Sequence, residues 1–133
     1  MPATPIITNW RGEYFNNPDL QGTPVVVRND QNINFDWGNG SPDPLVPVDN
    51  FSARWTRTLD CQSGVYRFSI RGDDGLRVFV DDNVIINEWH AASVVPPTYT
   101  ADVNLAARTH TIRVEYYKAF FNAYVTFAYA AVP

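Results

Sequence analysis

Two carboxylates stand side by side at Asp73 and Asp74, inside the run Arg-Gly-Asp-Asp-Gly-Leu-Arg that extends from Arg71 to Arg77. Adjacent like charges repel, so a fold that holds them together supplies a cation or several hydrogen-bond donors. The pair lies between two apolar runs: Val65, Tyr66, Phe68 and Ile70 before it, Leu76, Val78, Phe79 and Val80 after it. Gly72 and Gly75 bracket it, which suits a sharp loop with unusual backbone angles. Asp-Gly between strands is also ordinary turn chemistry, so function at this loop depends on what faces the two carboxylates.

The rest of the chemical inventory argues against catalysis. His90 and His110 are the only side chains with an ordinary pKa near neutrality, and neither stands in a nucleophile motif. His110 opens a strand, where a structural role is expected. Cys61 is the single cysteine and falls in a loop by composition, which excludes an internal disulfide and a thiolate metal cluster. Glycosidase carboxylates flank a bond from separate elements ~5–10 Å apart, unlike the adjacent Asp73 and Asp74. The domain is expected not to be an enzyme. Arg71-Gly72-Asp73 spells a receptor tripeptide, but three residues match too often by chance to carry weight. Asp81-Asp82-Asn83 is expected to be a hairpin turn. Trp37, Trp55 and Trp89 lie on strands or strand ends and are expected in the core. Phe120 and Phe121 are consecutive, so in an extended segment they cannot both face inward, and one of them is expected at the surface.

The elements that must hold these residues are strands. Hydrophobic residues make up 45% of the 133 and charged residues 18%, the balance of a globular domain. Phe51, Ala53, Trp55 and Leu59 alternate with Ser52, Arg54, Thr56 and Thr58; Tyr66, Phe68 and Ile70 alternate with polar neighbours, as do Ile112, Val114 and Tyr116. Further strands are predicted at 10–15, 25–28, 33–36, 76–80, 84–89, 99–105 and 124–129. The segment 38–50, with three prolines, reads as a long surface loop. About ten short strands and no helical period predict an all-β fold, an antiparallel sandwich or flattened barrel. One domain is expected over 9–133, preceded by an arm over 1–8. A net charge of -4 argues against nucleic acid, and no apolar run approaches the ~20 residues of a membrane-spanning helix. Of the ten cationic side chains only Lys118 is a lysine, which leaves no Lys-rich patch for anionic lipid. No stretch reads as a signal peptide.

The order of motifs resembles one family. Trp10-Arg-Gly-Glu-Tyr-Phe15, Leu20-Gln-Gly-Thr-Pro24, Ile33-Asn-Phe-Asp-Trp-Gly38, Val48-Asp-Asn-Phe-Ser-Ala-Arg-Trp-Thr56, Gly64-Val-Tyr-Arg-Phe68, Asp73-Asp-Gly-Leu-Arg77, Asn87-Glu-Trp89 and His110-Thr-Ile-Arg-Val-Glu-Tyr-Tyr117 follow one another as in the PA14 domains, named after the anthrax toxin protective antigen and shared with flocculins, bacterial adhesins and glycosidases. The resemblance covers about residues 9 to 130. It implies a β-sandwich that often serves as a sugar-binding accessory module without chemistry of its own. In flocculin-type lectins of the family the paired aspartates are joined by a cis peptide bond and hold calcium, completed by an asparagine and two backbone carbonyls from a second loop.

Run without gaps from Ile112, that loop falls on Lys118, Ala119, Phe120, Phe121 and Asn122, with Lys118 at the asparagine position. An ammonium cannot ligate a metal. Three outcomes follow: Lys118 points at Asp73 and Asp74 and takes the place of calcium, calcium is bound by the aspartates with other oxygens, or neither arrangement forms. In each case the expected function is a non-catalytic, adhesin-like carbohydrate-binding domain, extracellular or surface-associated. Its glycan site would comprise Asp73, Asp74, Lys118, Phe120, Phe121 and Asn122, with Asp73 and Asp74 as the metal ligands. The alternative is a structural subunit of an extracellular fibre, sheath or particle surface, a homo-oligomer or polymer built by strand exchange of the N-terminal arm.

Overall fold

The computed structural model describes residues 5–133; Met1–Thr4, half of the expected arm, lie outside the described residues. The ten strands are β1 (Trp10–Phe15), β2 (Val26–Asp30), β3 (Asn34–Gly38), β4 (Phe51–Cys61), β5 (Gly64–Asp73), β6 (Gly75–Val80), β7 (Asn83–Glu88), β8 (Tyr99–Leu105), β9 (Arg108–Lys118) and β10 (Ala123–Ala131). Among the described residues there is no helix, and so none long and apolar enough to cross a membrane. The strands form a six-stranded sheet in the order β2-β1-β4-β9-β6-β7 and a four-stranded sheet in the order β3-β10-β5-β8, every pairing antiparallel. The two sheets stack as an open sandwich, and neither closes into a barrel.

Period-two alternation decides which side chains meet between the sheets. Ala53 and Trp55 of β4, Phe68 and Ile70 of β5, Val78 of β6, Ile112, Val114 and Tyr116 of β9 and Val125 of β10 are buried and form one core. Trp55 is fully buried, as expected. Its indole Nε1 donates to Asp30, which also accepts from the Tyr14 hydroxyl at 2.5 Å and from Arg28 Nε at 2.8 Å. The buried carboxylate is thereby fully satisfied, and this node ties β1, β2 and β4 together. Trp37 is half-buried and stacks on Phe35 with ring centres 4.8 Å apart. Trp89 departs from the expectation: it lies outside the core, half-buried, edge-on to Tyr117 with the Arg77 guanidinium 3.8 Å from its ring centre.

The topology places two sheet-to-sheet crossings at one end of the sandwich. β5 ends in the small sheet at Asp73, and β6 starts in the large sheet at Gly75. β9 ends in the large sheet at Lys118, and β10 starts in the small sheet at Ala123. Because Gly75 pairs with Tyr117, the Asp73–Asp74 corner and the 119–122 loop lie side by side. At the N-terminal arm, the amides of Thr8 and Asn9 both donate to the Asn29 side-chain oxygen, so the described end of the arm folds back on its own domain.

Candidate functional site

Asp74 is the corner residue and its groups are all engaged. Its amide donates to the Tyr117 carbonyl at 2.9 Å, its Oδ2 accepts from the Ala119 amide at 2.8 Å and its Oδ1 from the Ala92 amide at 3.1 Å. The carboxylate therefore pins two loops, 119–122 and the β7–β8 connection, to the corner. The Asp73–Asp74 peptide bond is cis. The Tyr116 hydroxyl donates to the Asp73 carbonyl at 2.5 Å, and desolvation by burial, reinforced by the two nearby carboxylates, raises the pKa of that phenol.

The bracketing glycines act differently from the expectation. Neither Gly72 nor Gly75 has a positive φ. They are needed for close approach instead. A Cβ on Gly75 would lie 2.0 Å from the Tyr117 ring, and one on Gly72 would lie 2.7 Å from the Tyr124 carbonyl oxygen. The corner is sharp because neighbouring strands press against a bare backbone.

Asp73 is the unsatisfied partner. Among the described residues no N–H donates to its carboxylate; its neighbour is the Asp74 carboxylate. Partial burial, then hydrogen bonding to and repulsion by Asp74, push its pKa from 3.8 up to about 7, while the Lys118 charge pulls it the other way. A carboxyl group at that value carries a proton part of the time at neutral pH, so it can donate to as well as accept from a hydroxyl-rich ligand.

Lys118 is where the expected arrangement needs correcting. Its side chain has 0% exposure, and its ammonium donates to the Val48 carbonyl and pairs with Asp49 Oδ1 at 3.4 Å. It forms no ion pair with Asp73 or Asp74. The strand phase is the reason. Ile112, Val114 and Tyr116 point inward on β9, Lys118 takes the next inward position, and its pairing with Phe51 aims it at the loop that precedes β4. The proline-rich 38–50 segment thus wraps the lysine, tied down by the Asn50 amide donating to the Ala119 carbonyl at 2.9 Å. Lys118 supplies positive potential to the corner from behind, without contact.

Calcium takes ~6–8 oxygens. Here both Asp74 oxygens accept amide hydrogens, and the position of the family's asparagine ligand carries a buried ammonium that repels a cation. Among the described residues no three His, Cys, Asp or Glu side chains converge as metal ligands. The donor set does not fit calcium.

Phe120 and Phe121 are both at the surface, 55% and 81% exposed, with Phe121 at φ 72°; Asn122 is exposed beside them. A shallow depression of about 240 Å³ lies next to them, lined by Asn39, Val48, Asp49 and Phe121. Sequence reasoning missed three contributors: Ala92 through its amide, and Val48 and Asp49 as the partners of Lys118. No residue-type signal marks a backbone amide such as that of Ala92, but the inward phase of β9 does flag Lys118 as buried and in need of a partner. His110 is buried and structural: Nδ1 lies 2.6 Å from Asp81 Oδ2 and Nε2 lies 2.8 Å from the Ala106 carbonyl. His90 is exposed and contacts Glu88 and the Ala91 carbonyl.

The PA14 domain profile matches residues 9–128. The chain belongs to the PA14 domain family. The anti-sigma-I factor RsgI3 of Acetivibrio thermocellus is 37% identical over 110 residues, 81% of this chain and 17% of that protein. The solved structure of an anti-sigma factor domain-containing protein from Clostridium clariflavum matches with a TM-score of 0.82 at 30% identity, over 93% of this chain and 42% of that one. This PA14 domain therefore spans less than half the length of those relatives. A PA14 sugar-binding domain from an RTX adhesin shares the fold, with a TM-score of 0.70 at 16% identity over 95% of this chain and 91% of that one.

Proposed function

We propose that this PA14 domain is a non-catalytic glycan-binding module that works without calcium, and that it serves as the extracellular or surface-associated ligand-sensing part of a longer, anti-sigma-factor-like protein. The observation that carries the sugar site is the unequal use of the two aspartates. Asp74 is spent on the Ala119 and Ala92 amides, whereas the Asp73 carboxyl group has no N–H donor among the described residues and is left to sugar hydroxyls. Phe120 or Phe121 offers an exposed aromatic face beside it for the apolar side of a pyranose. The buried Lys118 charge takes over part of the electrostatic role that calcium has in flocculin-type members. The likeness to anti-sigma factor chains supports sensing over adhesion.

Glycan-array screening of the intact domain in chelator-containing buffer tests this directly. Hits are expected, and Asp73→Ala is expected to remove them while the melting temperature changes little. An array without hits, or hits that depend on added calcium, overturns the proposal.

A further inference from the structure

The outer face of the four-stranded sheet carries a cleft that the Asp73 site does not use. It has a volume of about 420 Å³, within the ~300–1,000 Å³ range of small-ligand sites. Its floor is laid by strand register. Asn34, Thr126 and Arg71 form one row across β3, β10 and β5, and Ala128 and Ser69 form the next. Arg71, Thr126 and Ala128 are exposed on this face, while Ile70 and Val125 turn into the core and Phe127, between Thr126 and Ala128, is half-buried. Short side chains at Ser69, Thr126 and Ala128 leave the hollow, and Asn34 and Thr98 add polar groups to its lining.

The charge pattern names the ligand chemistry. On this same face Arg67 is matched by Asp102 through two bonds, Nε to Oδ1 at 2.8 Å and Nη2 to Oδ2 at 3.0 Å. Arg71 lines the cleft, and no carboxylate among the described residues lies within ion-pair distance of it. Its guanidinium is nevertheless held in place: Nε donates to the Pro96 carbonyl at 2.9 Å and the group lies 5.4 Å from the Tyr124 ring centre. Among the described residues neither Nη nitrogen has a hydrogen-bond partner. A guanidinium anchored at one nitrogen and open at the other two presents the fork that a carboxylate accepts. In a chain of net charge -4 this is a local selection, not a general attraction of anions.

We infer that this cleft is a second carbohydrate site, separate from the Asp73–Asp74 corner, that takes an acidic sugar with its carboxylate on Arg71 and its hydroxyls on Thr126, Ser69 and Asn34. Tyr124 pairs with Asp73 and stands under Arg71, so it divides the two sites. An open floor of short side chains admits a ring within a longer saccharide chain.

The test is a titration of isotope-labelled domain, followed by amide chemical shifts, with tetragalacturonate, its methyl ester and a glucuronate-branched xylo-oligosaccharide. The two acids distinguish main-chain from branch uronate as the source of the carboxylate. Shifts are expected at Asn34, Ser69, Arg71 and Thr126 with at least one acid, and about tenfold weaker binding with the methyl ester. Arg71→Gln is expected to weaken the acid about tenfold without changing the melting temperature, whereas Arg67→Gln leaves its affinity unchanged. Binding should also weaken as salt rises. Shifts confined to residues 73–74 and 118–122, no shifts with either acid, or equal binding by Arg71→Gln overturns the inference. A failed glycan array at the Asp73 corner leaves it standing.

Discussion

Two acidic turns lie at the two ends of β6, and they are built to opposite electrostatic ends. At Asp81–Asp82 every carboxylate is compensated. Asp81 faces His110 at 2.6 Å, accepts from the Thr111 amide at 2.9 Å and lies 3.4 Å from Arg108; Asp82 pairs with Arg113 at 2.7 Å. Both residues have positive φ, the hairpin geometry expected of that turn. At Asp73–Asp74 no ion pair forms among the described residues: Asp74 is satisfied by amides and Asp73 is left with its like-charged neighbour. Both turns adjoin β9, and its two ends make the difference. The first carries His110, Arg108 and Arg113 toward the hairpin; the second sends its one cation, Lys118, inward to Asp49. The hairpin turn is neutralised on the spot, whereas the corner keeps a carboxyl group with no cation in contact among the described residues.

The largest break in that contrast should come from Lys118. Lys118→Ala leaves a cavity together with an unpaired Val48 carbonyl and Asp49, and is expected to cost ~2–4 kcal/mol in urea unfolding; Lys118→Met, which refills the space, should cost about half as much.

His110 comes next. Both ring nitrogens face acceptors, which requires the doubly protonated imidazolium. Its pKa is raised by the Ala106 carbonyl and Asp81, and that of Asp81 is lowered chiefly by the hydrogen bond to His110. A raised histidine stabilises fully below its ordinary 6.5 and loses this as pH rises through its higher folded value. A lowered aspartate stabilises above its ordinary 3.8 and loses this as pH falls through its lower folded value. The pair's contribution is thus full between 3.8 and 6.5 and declines on the alkaline side. His110→Asn should cost ~1–3 kcal/mol near pH 6 and flatten that decline in melting curves.

At the opposite turn, Asp74→Ala should cost ~1–2 kcal/mol by leaving two amides without an acceptor, and should speed amide exchange at Ala92 and Ala119. Asp82→Ala, which removes only a solvated pair with Arg113, should cost ~0–1 kcal/mol. That ranking reverses if the corner is as solvated as its position in a loop implies.

The smallest stability effect is expected at Asp73. Its raised pKa means that the protonated form is favoured in the folded state. The site therefore adds stability below pH 3.8 and loses it as pH rises through about 7. Asp73→Asn should leave the melting temperature nearly unchanged below pH 3.8 and raise it slightly as pH rises through about 7.

Most of the fold was legible because each strand buries one face. Trp10–Phe15 and Tyr99–Leu105 carry the predicted bounds, and the others differ by a few residues at their ends, where pairing partners extend the ladder past the apolar pattern. The site was legible only in outline. The inward phase that buries Ile112, Val114 and Tyr116 also buries Lys118, and the alternation contains that information. Which acid meets a buried ammonium is a long-range matter, and Asp49 lies 69 positions away in sequence (118 − 49).

The sequence by itself determined the strands, their inward faces, an antiparallel all-β fold that could be a sandwich or a flattened barrel, and the adjacency of two aspartates at a glycine-flanked corner, because period and turn chemistry are local properties. That two separate sheets stack as an open sandwich was decided by strand pairing. Tertiary structure alone decided that Asp74 would be consumed by the Ala92 and Ala119 amides, that Gly75 would be pressed against Tyr117, and that Arg71 would stand in a cleft with no carboxylate partner among the described residues while Arg67 met Asp102. Those outcomes depend on which strands become neighbours and in which register, and hydrogen bonds and ion pairs act only over the few ångströms that this register sets.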